Sequence, residues 1–186
     1  MMNENIALHL VDAHDPDWTH TAMSMTRNYF LWMNDQLQHT CDFSISDIVG
    51  MPLDDYIASA SNDICPKDSR CARFYLLVQG ITPVSMGGWR ILPSGDVEIV
   101  RVYTRPEHRG HGYGRLMLKN LIAECHQRGF RKIKLDTGCF MKEAQSLYRS
   151  LGFIDCAAYE GAEPPAQLIP FWLYMELDLT KASEAR

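Results

Sequence analysis

"RPEHRGHGYGRLML", residues 105–118, gathers three glycines, three arginines and two histidines into fourteen positions. The stretch before it, "VEIVRVYT" (97–104), reads as a strand. Behind it Leu118, Leu121, Ile122 and Cys125 follow the i, i+3, i+4, i+7 spacing of a helix, which Gly129 closes. A glycine loop is thus set between a strand and a helix N-terminus. There the first backbone N–H groups have no intrahelical partner, and the positive end of the helix dipole points the same way. Such an end binds phosphate without any particular side chain. Glycines 110, 112 and 114 remove the Cβ atoms that would keep an anion away. Arg109, Arg115 and Arg105 add charge-assisted donors. A nucleic-acid patch and an ordinary solvated helix entry are the competing readings. A P-loop is excluded because Gly-Lys-Ser/Thr is absent, and the glycine spacing is not the GxGxxG of a dinucleotide fold.

Working outward, "RFYLLVQ" (73–79), "VSMGGWRIL" (84–92) and residues 97–104 are predicted to form an antiparallel meander. Its turns lie at "ITP" and "PSGD". "KIKLDT" (132–137), "FIDCAAY" (153–159) and "FWLYMELDL" (171–179) supply further strands. Ala144, Leu147, Tyr148 and Leu151 mark a helix stopped by Gly152. Toward the N-terminus, "IALHLVD" (6–12) alternates with Ile6, Leu8 and Leu10 on one face. Asp15-Pro16 then caps a helix carrying Ala22, Met25, Tyr29, Trp32 and Met33. Between Cys41 and Ser69 the pattern predicts only a short helix after Ser46 and a polar stretch, "SASNDICPKDSR". The sum is an α+β domain, with a mixed, mostly antiparallel sheet flanked by helices.

The chain has 186 residues and a formal charge of −5, a length suited to one domain over 1–186. The acidic balance argues against a nucleic-acid partner, which asks for a broad basic face. No apolar run approaches the roughly 20 residues that span a bilayer, and "MMNENIALHL" lacks a signal-peptide pattern, so no membrane association is expected. The six cysteines (Cys41, Cys65, Cys71, Cys125, Cys139, Cys156) form no CxxC pair and the seven histidines no helical metal pair. Reduced thiols in a cytoplasmic protein without a metal are the expectation.

Arg109-x-x-Gly112-x-Gly114 resembles the Q/R-x-x-G-x-G/A signature of the GNAT superfamily of acetyl-CoA-dependent N-acetyltransferases. "EAQSLYRSLGF" (143–153) resembles that superfamily's second signature, A-x-x-L-Y-x-x-x-G-F. The resemblance covers about 73–179, with 15–70 as a helical, substrate-side region. It implies an α/β/α-type GNAT fold whose splayed strands form an acyl-CoA cleft. By it, the backbone of Gly110, His111, Gly112, Tyr113, Gly114 and Arg115 cradles the diphosphate of acetyl-CoA, with Arg109 at the edge. Val102, Tyr103 and Thr104 end the strand that runs beside the pantetheine arm. Met141 stands where many relatives carry an asparagine that holds that arm.

The same resemblance makes Tyr148, the motif tyrosine, a candidate general acid for the leaving thiolate. A core tyrosine is the rival. Glu98, eleven residues before Arg109, stands at the offset of the general-base glutamate in the histone-acetylating branch. An ammonium cannot attack a thioester, so a base must first take a proton. A structural ion pair of Glu98 with Arg101 is the alternative, although alternation puts the two on opposite faces unless a bulge intervenes. Asp136, Tyr159 and Glu160 are further substrate-side candidates. Aromatics of "NYFLWMNDQ" (28–36), Trp89 and Trp172 are expected either in the core or around an acceptor pocket. The expected activity is direct acetyl transfer to a primary amine of a small molecule, amino acid or peptide, in a protein that could be a homodimer. A protein lysine or N-terminal acetyltransferase, or a non-catalytic acyl-CoA sensor, is the alternative.

Overall fold

In the computed structural model, residues 7–62, 70–162, 164 and 166–180 are described. Ile6, Cys65 and the polar residues 63–69 lie outside them. Strand β1 (Leu8–Asp12) leads to helix α1 (Pro16–Cys41), short helices α2 (Ile45–Val49) and α3 (Leu53–Asn62), and strands β2 (Ala72–Gln79), β3 (Thr82–Ile91) and β4 (Val97–Thr104). After the glycine loop come α4 (Tyr113–Gln127), β5 (Lys132–Gly138), α5 (Lys142–Ser150), β6 (Ile154–Cys156) and β7 (Trp172–Asp178). The seven strands form one sheet in the order β1-β2-β3-β4-β5-β7-β6.

Each end of α1 has a local cause. The Asp15 side chain accepts from the Asp17 N–H at 3.0 Å with Pro16 in the first turn, and Asp42 leaves the helix in a left-handed conformation at φ 59°. Its buried stripe runs through Ala22, Met25, Phe30, Met33 and Leu37. The upper part of this stripe packs on Phe74, Leu76 and Met86 of the sheet. The lower part joins Ile45, Ile57 and Ala60 of α2 and α3 to Trp172 and Tyr174 of β7. On the opposite face, Met117, Leu118, Leu121 and Cys125 of α4 and Tyr148 of α5 enclose Leu77, Trp89, Ile99 and Leu135. Each fully buried leucine there contributes about 2 kcal/mol of transfer free energy.

Several sequence expectations shift. The helix foreseen after Ser46 begins at Ile45, because Ser44 caps it in a reciprocal box with Asp47. A third helix reaches Asn62 through part of the stretch read as polar, since Ile57 and Ala60 are enough to anchor it. The turn at "ITP" is tighter: Thr82 and Pro83 already pair with β2. The strand read over 153–159 keeps only Ile154–Cys156. It is an edge strand, and Ile154 is exposed.

Three strand pairings decide what the fold can hold. All neighbours are antiparallel except β4 and β5, and that parallel pair consists of only two rungs, Val97↔Ile133 and Glu98↔Lys134. Beyond Glu98 the two strands diverge, while β4 stays paired to β3 and β5 to β7. A second irregularity lies within β4 itself. Met86 opposes Tyr103 and Gly88 opposes Val100, so Arg101 and Val102 together face Gly87 alone. This is a β-bulge, with Arg101 at φ 53°. It turns Arg101 to the face that carries Glu98, where its guanidinium lies 5.4 Å from the Phe30 ring and its Nη1 donates to Ala60 O at 2.8 Å.

Candidate active site

The glycine loop leaves β4 at Thr104, makes one 3-10 turn over Pro106–His108 and enters α4 at Gly112. Gly110 and Gly112 both adopt φ 81°, and a Cβ at either would point into open space. Glycine is therefore required there by backbone conformation and not by crowding. No side chain caps α4. Among the described residues, the backbone N–H groups of residues 110–115 have no backbone or side-chain acceptor. Gly114 is different: a Cβ there would come within 3.3 Å of Thr104 Oγ1, so the helix start sits tight against the end of β4.

The side chains around the loop turn away from the row of N–H groups. Tyr113 donates its hydroxyl to Gln79 at 3.1 Å and stacks on the His111 ring. Arg115 reaches Ser150 Oγ at 2.8 Å. Arg109 donates Nε to Thr104 O at 3.3 Å and lays its guanidinium 5.4 Å from Trp32 of α1 and 5.9 Å from Tyr103. Tyr103 itself is buried against α1, and Val102 packs toward α4. What residues 102–104 present to the diverging strands is thus backbone.

A polar cluster occupies the α1–α3 side of the point where β4 and β5 part. Glu98 belongs to the last paired rung, is 0% exposed, and accepts from Arg90 Nε at 2.7 Å and from the Tyr159 hydroxyl at 2.7 Å. The ion pair that alternation left open for Arg101 is made by Arg90 instead. Tyr159 lies over Lys134 Nζ at 4.9 Å and meets the Tyr174 ring edge-on. Burial, then the charges of Glu98 and Asp136, drive the Tyr159 hydroxyl well above its ordinary pKa, so it stays a donor. Asp136, beyond the last rung on β5, accepts from Trp172 Nε1 at 2.7 Å.

Tyr148 lies on the other face, 7% exposed and packed 6.0 Å from Phe153. Burial, and then the Asp136 charge, raise its hydroxyl above the usual tyrosine value. Met141 begins α5 without a side-chain cap and accepts a weak contact from Thr137 Oγ1 at 3.5 Å. Gln145 ties the same corner down by donating to Gly138 O at 2.8 Å.

Next to Asp136 opens a cavity of about 50 Å³ walled by α1, α2 and β7. Tyr29 and Phe30 from the aromatic run line it, as does Trp172. Trp89 does not: it is fully buried on the opposite face, 5.6 Å from Phe130. Arg90 and the α2 residues of the cavity carried no motif in the sequence. Only the presence of an unpaired-looking glutamate in strand β4 hinted that a cation had to be nearby.

The chain matches the model of the acetyltransferase (GNAT) family over residues 45–153. It is 34% identical over 87 residues to an uncharacterised N-acetyltransferase of Schizosaccharomyces pombe, a match that spans 47% of this chain and 50% of that protein. The chain thus spans about half the length of that relative. An IAA acetyltransferase of Azospirillum brasilense is 30% identical over 108 residues, covering 58% of this chain and 68% of its own. Among solved structures, the PaiA N-acetyltransferase of Thermoplasma acidophilum in complex with coenzyme A superposes with a TM-score of 0.67. It shares 15% identity and covers 92% of this chain and 99% of its own.

Proposed function

The chain belongs to the acetyltransferase (GNAT) family, and from that membership we propose that it is an acetyl-CoA-dependent N-acetyltransferase acting on a small-molecule primary amine. The observation that carries this reading is the coincidence of two features at one end of the sheet. One is the uncapped, glycine-rich entry to α4, whose N–H groups suit a diphosphate. The other is the fork beyond Glu98 and Lys134, whose facing backbones have no strand partner on that side. Gly110, His111, Gly112, Tyr113, Gly114 and Arg115 hold the diphosphate through their N–H groups. Val102, Tyr103 and Thr104 present backbone to the pantetheine arm, and Arg109 closes the edge of the cradle against Trp32.

Acetyl-CoA supplies an activated thioester, and the chain supplies the proton handling. Tyr148 keeps its proton at neutral pH because its hydroxyl is buried, and it hands that proton to the departing sulfur. Glu98 is closed to solvent, so it works as a base through Tyr159. That hydroxyl takes the amine's proton while passing its own to Glu98 Oε1. The cavity beside Asp136 favours a small acceptor over a folded protein, because it is recessed between α1, α2 and β7.

The test is release of free CoA thiol from acetyl-CoA in the presence of a panel of primary amines, with wild type and Tyr148→Phe. Amine-dependent release that falls at least tenfold in the variant supports the reading. CoA binding without release, whatever the amine, would make the protein a sensor instead.

A further inference from the structure

Two cysteines far apart in the chain meet beside the cavity. Cys41 is the last residue of α1 and continues the buried stripe of Phe30, Met33 and Leu37, which line that cavity. Cys139 follows the end of β5, and its N–H donates to Phe171 O at 2.8 Å, next to Trp172 of the cavity wall. The Phe171 ring in turn lies 6.1 Å from that of Phe43, two residues past Cys41. Phe140 and Phe171 also pack into the cluster that holds Cys41. These contacts bring the ends of α1 and β5 together and set the Cys139 thiol beside that of Cys41. We infer that Cys41 and Cys139 are a redox site, at which a hydroperoxide converts the two thiols into one disulfide that ties the end of α1 to the end of β5. The inference stands apart from the acetyltransferase reading, since it needs neither cofactor nor amine.

The two thiols have different tasks. Cys41 is buried and Cys139 partly exposed, so a peroxide meets Cys139 first. Burial, and then the Cys139 thiol beside it, push Cys41 above its ordinary value of 9.0, which keeps it protonated until it reacts. The Cys139 sulfur attacks a peroxide oxygen. An S–O bond forms, the O–O bond breaks, and with hydrogen peroxide one water leaves a sulfenic acid behind. Cys41 then attacks that sulfur: the S–S bond forms, the S–O bond breaks, and the hydroxyl departs as a second water with the Cys41 proton. Two electrons pass from the pair of sulfurs to the peroxide. A dithiol reverses the step by exchange and is itself left as a disulfide.

The position of Cys41 favours closure. The last turn of a helix frays readily, and the chain turns away at once through Asp42 at φ 59°. Cys41 can therefore settle into disulfide geometry without disturbing the body of α1. The loop between the two cysteines holds roughly a hundred residues, so the bond takes much freedom from the unfolded chain. The other described cysteines are placed differently. Cys125 is fully buried under α4, Cys156 lies on edge strand β6, and Cys71 is exposed just ahead of β2.

The experiment treats the full chain, at low protein concentration, with a small excess of hydrogen peroxide. Non-reducing peptide mapping, thermal unfolding and hydrogen exchange follow the product. The expected result is a Cys41–Cys139 disulfide in most of the protein, with Tm at least about 5 °C above that of the reduced form. Dithiothreitol restores the thiols and the lower Tm. Exchange slows at least about tenfold at the amides of residues 38–41 and stays unchanged at 110–115. Cys139→Ser, at the partly exposed partner, removes the disulfide, the Tm rise and the slowing together. Cys156→Ser keeps all three. A disulfide that joins either residue to Cys65 or Cys71 overturns the inference. So does peroxide that leaves both thiols free, or that takes Cys139 to the sulfinic acid with Cys41 unbonded. A Cys41–Cys139 bond that changes neither Tm nor exchange overturns it as well.

Discussion

The Tyr159 hydroxyl donates to Glu98 Oε1 at 2.7 Å, joining a loop residue to the last rung shared by β4 and β5. Glu98 is 0% exposed and its other oxygen accepts from Arg90, so in the proposed relay the proton passes between substrate and carboxylate through Tyr159. Tyr159→Phe and Glu98→Gln should therefore each lower kcat about 10–100-fold with little change in KM for CoA. The double variant should be no worse than the worse single one, because the two groups act in series. Additive losses in a double-mutant cycle would break the relay.

Gly112→Ala and Gly95→Ala form a matched pair. Gly112 has φ 81° and Gly95 φ 83°, and a Cβ at either meets nothing within 4 Å. Each substitution should cost about 1 kcal/mol of stability from left-handed backbone strain. Only Gly112→Ala places its methyl at the uncapped helix start, so it alone should weaken CoA binding, by roughly tenfold or more. Calorimetric titration of both variants distinguishes a phosphate cradle from a solvated helix entry.

The pH–rate profile tests the acid. Burial, and then the Asp136 charge, raise the Tyr148 hydroxyl above its ordinary value of 10.0. A general acid loses activity as pH rises through its pKa, so Tyr148 should cause no alkaline fall below about pH 10. Tyr148→Phe should lower kcat at every pH from 6 to about 10 and leave the shape of the profile unchanged. An alkaline limb near pH 8 that vanishes in the variant would assign Tyr148 a different state.

Acid sensitivity has a local source at β1. Burial tends to raise the pKa of Asp12, but the His14 backbone N–H and ring, with the Arg73 charge, outweigh it and hold the carboxyl below its ordinary value of 3.8. A depressed folded pKa gives stability that is present above the unfolded value and lost as pH falls through the folded one. Asp12→Asn should cost about 0.5–1 kcal/mol at pH 7. The gap to wild type should narrow as pH falls below the ordinary value of 3.8 and through the lower folded one. Chemical denaturation of both proteins at pH 7 and at a series of lower pH values reads it directly.

The features visible in the sequence are those with a local cause. Asp15-Pro16 announced the start of α1, the strand runs at 73–79, 84–92 and 97–104 announced the meander, and three glycines before an apolar helix announced the uncapped entry to α4. What stayed hidden is made by residues that meet only in space. Arg90 reaches Glu98 across the β3–β4 pair, and Tyr159 arrives from the far edge of the sheet. The bulge that turns Arg101 to the face of Glu98 leaves no mark in the alternation, because an extra residue opposite Gly87 is a property of the pairing. The cavity is assembled from α1, α2 and β7, whose apolar residues read individually as ordinary core. The strand at 153–159 was overextended for a related reason: after Cys156 the chain leaves the sheet, and Tyr159 bonds to Glu98.

The central claim is that residues 110–115 hold a diphosphate, and the most direct measurement is thermal unfolding with CoA set against pantetheine, which lacks that group. CoA at about a hundred times its dissociation constant should add ~2.7 kcal/mol of stability. For a chain of this size that is a rise in Tm of roughly 5–10 °C. Pantetheine at the same concentration should give a much smaller shift, and Gly112→Ala should reduce the response to CoA alone. Equal shifts with CoA and pantetheine, or none with either, would contradict the account.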